Sequence, residues 1–130
     1  KALKNVPQRP PIPPIQRQQR FSAPRSLEMR YPASDSDDMS HRNMIAFGFL
    51  TTPLLDQEEV LALTVLDAIL METDASLLKK PLLDSKLCIQ ADAYMDTEMS
   101  EVPYVIVFKG CAENKADALE KLLKITLDKI

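Results

Sequence analysis

The spacing of apolar residues switches between two periods along this chain, and this switching constrains the fold more than any other feature. Alternation of apolar and charged residues predicts a short strand over residues 27–31. A nearly continuous apolar run predicts a second strand over residues 41–52, of the kind that is covered on both faces. Beyond Asp56, with Glu59 at the spacing of a capping box, a broad helical stripe predicts a helix that contains Val60, Leu61, Leu63, Val65, Leu66, Ile69 and Leu70.

The second half of the chain also combines helix and strand patterns, and no internal repeat is visible. Ser76 is placed to cap a short helix over residues 76–83, which Pro81 should distort or shorten. Two apolar runs, over residues 87–93 and 102–110, predict a hairpin with an acidic turn. A final amphipathic helix should open at Glu113 or Asn114. Two strands, two helices, two strands and a helix indicate an α+β fold, a mainly antiparallel sheet with helices packed on one face.

The N-terminal segment differs from the rest in both proline content and charge. Six of the ten prolines lie within the first 24 residues, where fixed φ angles and missing amide donors prevent a helix or an inner strand. The first 25 residues hold six basic residues and no acidic one, whereas the whole chain has a formal net charge of −3. We therefore predict a proline-rich basic arm or linker over residues 1–25 and a folded body over residues 26–130. A docking motif for a proline-recognising partner is the alternative interpretation of the arm.

Few residues of this chain could carry out chemistry together. His41 is the only histidine, and neither the glutamate nor the second histidine of the inverted zinc signature follows it. The two glycines are too few for a phosphate-binding loop. Nucleic acid is not an expected partner, because the body is acidic and the arm has a single aromatic residue. We predict no catalytic, cofactor-binding or metal-ligating residue in the chain.

Two further groups of residues could suggest a metal or redox site. The carboxylates Asp35, Asp37 and Asp38 lack the glycine and the glutamate that complete an EF-hand loop, so a hydrated loop is predicted. Cys88 and Cys111 form no C-x-x-C pair and have no histidine nearby, which predicts buried thiols in a reducing compartment, the cytoplasm or an organelle matrix. No apolar run approaches the ~20 residues that cross a bilayer, so a soluble protein is expected, without a membrane partner.

Residues 66–87 contain the end of a helix, then Ser76-Leu77-Leu78, the basic pair Lys79-Lys80, and Leu82-Leu83-Asp84-Ser85 before a strand. In this order they resemble the second domain of presequence-protease-like members of the insulinase and pitrilysin family of zinc peptidases. In that family a helix ends in a leucine-rich turn, followed by Ser-x-Leu, a basic pair, and Leu-Leu-acid-Ser before a strand. The matching positions here are Thr73, Ala75, Ser76, Leu78, Lys80, Leu82, Leu83, Ser85 and Leu87. The resemblance extends from about residue 27 to Ile130. Glu72, Lys86 and Cys88 stand where the family has glycine.

The resemblance implies a longer polypeptide of four related α+β domains that close around an unfolded peptide. Zinc and the catalytic glutamate would belong to the first domain, and this segment would be an internal domain that supports the catalytic domain and lines the chamber. Its partners would be the other domains of the same polypeptide and, in the parent, a peptide substrate. Exposure of an apolar face in the isolated domain would favour dimerisation.

Three interpretations of the function remain open at this point. The first is the internal peptidase domain; the second is a free-standing α+β protein-binding or regulatory module; the third is an inactive family member within a larger complex. A chain that begins with Lys1 and ends at Ile130 within a helical pattern is expected to be a piece of a longer one. Whether the parent is a zinc metalloendopeptidase is left uncertain by these residues.

Overall fold

A computed structural model describes residues 10–13, 18–32, 34 and 41–130. Contacts divide the chain into two units, Lys1–Tyr31 and Pro32–Ile130. The described residues of the first unit are exposed and lie in neither helix nor strand, and the guanidinium of Arg25 lies 4.2 Å from the ring centroid of Phe21. The strand predicted over residues 27–31 is therefore wrong. Alternation marks a strand only where a neighbouring strand supplies hydrogen bonds, and Leu27 is 83% exposed. The boundary predicted after residue 25 stays a prediction.

The described part of the second unit contains three strands and three helices. Both strand pairings are antiparallel, and the spatial order of the strands is β1-β3-β2. This confirms the α+β class with an antiparallel sheet and the predicted hairpin of the last two strands. The loop with Asp35, Asp37 and Asp38 lies outside the described residues. The elements are β1 (Asn43–Pro53), α1 (Gln57–Met71), α2 (Lys79–Asp84), β2 (Gln90–Met95), β3 (Glu101–Cys111) and α3 (Ala116–Leu127).

The helix starts follow local chemistry. The Asp56 carboxylate accepts a hydrogen bond from the Glu59 backbone N–H at 3.5 Å, so the predicted N-cap of α1 is confirmed. The prediction that Ser76 caps α2 is wrong, because its hydroxyl oxygen instead accepts from the Thr73 N–H at 3.0 Å and the helix begins at Lys79. Pro81 lies in the first turn of this six-residue helix, where the backbone N–H has no partner within the helix, so the shortened helix tolerates it.

The last helix begins later than predicted. Asn114 has a φ of 59°, in the left-handed region, which an asparagine adopts more readily than most residues but which cannot continue a helix. The helical residues therefore start at Ala116 rather than at residue 113 or 114.

One face of the sheet carries the core. Directly paired residues share a face, so Ile45 and Ala91 lie on the same side as their partner Phe108, and Phe47 lies there with Ile106. The rings of Phe47 and Phe108 meet edge to face at 5.9 Å. All three helices contribute to this cluster, through Leu70, Met71, Leu82, Leu119 and Leu123. The helices therefore pack on one face, as predicted.

The opposite face of the sheet is apolar over β1 and the middle of β3, whereas Gln90, Asp92 and Lys109 add polar groups at its β2 edge. Among the described residues, no helix packs on this face. We call it the open sheet face. The expectation that β1 is covered on both faces is wrong for the described residues, because Met44 is 53% exposed there. The reason is that α1, α2 and α3 all occupy the other side. The apolar part of the open sheet face comprises Met44, Ala46, Gly48, Leu50, Tyr94, Val105 and Val107.

Gly110 should be the glycine that tolerates substitution least. Its φ is +70°, and a Cβ placed there would lie 2.7 Å from the Cβ of Ile89. We expect Gly110→Ala to lower the free energy of unfolding by about 1–3 kcal/mol, measured by urea denaturation. Gly48→Ala is the matched control, because its nearest contact is 4.0 Å away, and we expect a change within about 0.5 kcal/mol. Equal effects of the two substitutions would contradict this account.

Candidate functional site

A hydrogen bond between two elements distant in sequence fixes α1 on the sheet. The hydroxyl of Tyr104, on β3, donates to Oδ1 of Asp67, on α1, at 2.7 Å. Burial, followed by the hydrogen bond to the carboxylate, raises the pKa of Tyr104 far above its ordinary range. The phenol therefore stays protonated and acts as a permanent donor, which is a structural role rather than that of an acid or base at neutral pH.

A group of charged side chains surrounds Lys79 at the β2 edge of the sheet. The Lys79 side chain is only 14% exposed, and its Nζ lies 3.4 Å from Asp74 and 3.7 Å from Asp92. Asp92 also lies 3.6 Å from the Nζ of Lys109 and accepts from Gln90 at 2.6 Å. Since these charges are paired with one another, they neutralise a partly buried ammonium and offer no reactive group.

A depression of about 370 Å³ lies between these two sets of contacts. Its polar groups include Asp67 and Lys79, which are already engaged with Tyr104 and with the two aspartates. The hydroxyl of Thr64 in the lining donates to the Val60 carbonyl at 2.9 Å rather than to a base, so these contacts are structural. It is lined by Thr64, Asp67, Ala68, Met71, Glu72, Lys79, Asp92 and Ala93.

The described residues do not fit a zinc site. No group of three or more His, Cys, Asp or Glu among them could hold a metal ion. His41, the only histidine, is exposed just before β1. The described part of the chain therefore offers no set of ligands through which zinc could act. That the chain holds no catalytic or metal-ligating residue stays a prediction.

Both cysteines are buried free thiols, as predicted. Cys88 is 5% exposed and Cys111 is fully buried. Burial, and to a lesser extent the proximity of Cys111, raises the pKa of Cys88 from 9.0 to about 11, and burial also raises the pKa of Cys111. A protonated, buried thiol is a poor nucleophile, so neither cysteine is a candidate catalytic residue.

These thiols should make the fold sensitive to alkaline pH. Because folding raises the pKa of Cys88, the native state holds this proton more tightly than the unfolded state does. Its contribution to stability is complete below pH 9 and is lost as pH rises through 11. We expect the free energy of unfolding to fall by about 2 kcal/mol from this group by pH ~11, measured by urea denaturation. In Cys88→Ala the free energy of unfolding should fall less steeply between pH 9 and pH 11. An unchanged pH dependence would show that Cys88 is not the group responsible.

The outer side of α1 is apolar and exposed. The broad apolar side that the sequence predicts for this helix is divided in the structure between the core and the surface. Leu70 and Met71 are buried, whereas Leu61 is 65% and Val65 is 52% exposed. The exposed residues line a shallow groove of about 500 Å³, which we call the α1 stripe: Glu58, Leu61, Ala62, Val65, Leu66 and Ile69. None of the helices among the described residues is long and apolar enough to span a lipid bilayer.

The described residues present two apolar surfaces, the open sheet face and the α1 stripe, and no group of side chains arranged for catalysis. A domain whose role is to pack against other domains would have these features. Comparison with known families identifies the same kind of domain, because the family described as "Peptidase M16 inactive domain" matches residues 1–130. This chain belongs to that family. The resemblance to the second domain of presequence-protease-like members is thereby confirmed, and the chain is a structural domain related to metallopeptidases.

A relative from Arabidopsis thaliana supports the same assignment. The chain is 32% identical over 118 residues to presequence protease 1, chloroplastic/mitochondrial. The match covers 89% of this chain and 11% of the relative. This M16 inactive domain thus spans about a tenth of the length of that protease.

Proposed function

We propose that this chain is an internal, non-catalytic domain of a longer M16 metallopeptidase, where it supports the catalytic domain and lines the chamber that encloses the peptide substrate. The family match over residues 1–130 is the observation that carries the proposal. Zinc and the catalytic residues would be supplied by another domain of the same polypeptide. The name of the Arabidopsis relative suggests a presequence peptide as the class of substrate and an organelle matrix as the location.

The open sheet face supports the chamber-lining part of this proposal. It is a sheet surface formed by three strands, and its exposed residues are predominantly apolar, with Met44 and Tyr94 each 53% exposed. An unfolded peptide presents apolar side chains that a native protein would bury, and such a surface offers them contact without requiring a particular sequence. The core face cannot do this, because the helices fill it.

A direct test begins with the coding sequence on both sides of this segment. The proposal expects the zinc motif H-x-x-E-H to be encoded before this segment. A further glutamate should follow the motif, also before the segment. The polypeptide as its source makes it should then contain about one zinc ion and cleave an unfolded peptide, and a chelator should abolish cleavage while added zinc restores it.

Two other outcomes would replace the proposal. An open reading frame confined to these 130 residues would favour a free-standing protein-binding or regulatory module that recruits a partner through its proline-rich arm. A longer polypeptide that lacks the zinc motif and copurifies with other subunits would favour an inactive family member within a complex.

A further inference from the structure

The α1 stripe has the geometry of a helix-packing seam. Its members recur at intervals of three and four residues over Glu58–Ile69, which places them along one side of the helix. Four of its apolar side chains are about half exposed or more: Leu61 65%, Val65 52%, Leu66 47% and Ile69 51%. The repeat and the shallow groove suit a second helix laid along α1.

The opposite side of α1 is already occupied. Leu70 and Met71 enter the core, and Asp67 accepts the Tyr104 hydrogen bond. A helix that is apolar on both its inner and outer sides is typical of one buried between two layers. The fold described for residues 41–130 supplies only the inner layer.

We propose that the outer layer is a helix from another domain of the same polypeptide, docked along the α1 stripe. This inference rests on the proposed function, which it deepens by naming the surface of contact. The relative is much longer than this chain, since 118 aligned residues make up only 11% of it. A domain tethered in the same chain acts at an effective concentration on the order of millimolar, which favours it over a second molecule.

The charge of the α1 stripe indicates which residues the docked helix should present. Glu58 is the only charged residue of the α1 stripe, at its N-terminal end, and the rest of the groove is apolar. The docked helix should therefore present a leucine-rich or alanine-rich seam, with a basic residue near the Glu58 end. A like-charged residue there would be disfavoured.

The test measures access to the stripe in the polypeptide as its source makes it. Val65→Cys is treated with a maleimide, and labelling is read on the proteolytic peptide that contains residue 65. Leu55→Cys is the matched control, because Leu55 is 88% exposed and outside the stripe. We expect labelling at position 65 to be at least about tenfold slower than at position 55, independent of protein concentration. Leu61→Cys repeats the measurement independently.

Cross-linking from position 65 should then identify a helix of a different domain in the same molecule. Labelling at position 65 as fast as at position 55 overturns the proposal. Protection that disappears on dilution also overturns it, because a second copy would then be the cover. The result is separable from the proposed function: absence of the zinc motif defeats that function alone, whereas rapid labelling in a zinc-containing peptidase defeats this inference alone.

Discussion

Phe108→Ala should lower the free energy of unfolding of this domain by about 3–5 kcal/mol. Phe108 is fully buried on the central strand, and its ring meets Phe47 edge to face. Removing the ring deletes contacts with both neighbouring strands and leaves a cavity that the surrounding side chains cannot fill completely. Domains are typically stable by only about 5–15 kcal/mol, so the variant should be largely unfolded in mild urea. Urea denaturation followed by circular dichroism measures the change.

Val107→Ala is the matched control for this prediction. Val107 is the adjacent residue on the same strand, but it belongs to the open sheet face and is only partly buried. Its truncation should cost no more than about 1 kcal/mol. If Val107→Ala proved as costly as Phe108→Ala, the division of the sheet into a core face and an open face would be wrong.

The sequence predicted the order of the main elements because several of them are specified locally. The capping residue Asp56 precedes a long helical repeat, and the hairpin of β2 and β3 joins two nearby apolar runs. Such signals depend on residues only a few positions apart, so they can be read from the sequence without knowledge of the tertiary structure. The antiparallel sheet with helices on one face then followed from the order of the elements.

The predictions for residues 27–31 and for β1 were wrong for a shared physical cause, which is dependence on a distant partner. Residues 27–31 alternate like a strand, but a strand also needs a neighbour to pair with. The apolar run of β1 indicated cover on both faces, and the sequence pattern does not say which chain segment provides the cover. Met44 is exposed here for that reason.

The polar contacts were missed for a related reason. Asp67 and Tyr104 are 37 residues apart, so no local spacing joins them. A usable signal was present, since Asp67 is the one charged residue between Val60 and Met71, and Tyr104 stands next to the apolar run of residues 105–108. A partly buried carboxylate and a partly buried phenol each favour a partner, and pairing them would have oriented α1 on the sheet.

The double substitution Met44→Lys and Ala46→Lys should suppress self-association of the isolated 130-residue chain. Both residues lie on the open sheet face of β1, an edge strand of 11 residues without a charged side chain. Such an edge pairs readily with a second copy, and lysines on edge strands oppose that pairing. We expect the unsubstituted chain to dimerise with increasing concentration. The double variant should raise its dissociation constant by about 100-fold, equivalent to about 2.7 kcal/mol, measured by sedimentation equilibrium.

Leu55→Lys with Leu77→Lys provides the control, because both leucines are exposed and neither belongs to the open sheet face. Both double variants add the same charge and move the net charge of −3 closer to zero. Weaker association in the first variant alone therefore cannot come from repulsion between like-charged molecules. A chain that stays monomeric at high concentration without any substitution would contradict dimerisation. Equal effects of the two variants would instead show that β1, through its edge or its open face, is not the surface through which copies meet. In the full polypeptide the same two lysines would test whether the open sheet face lines the chamber. They should weaken the binding of apolar peptides while the zinc content stays unchanged.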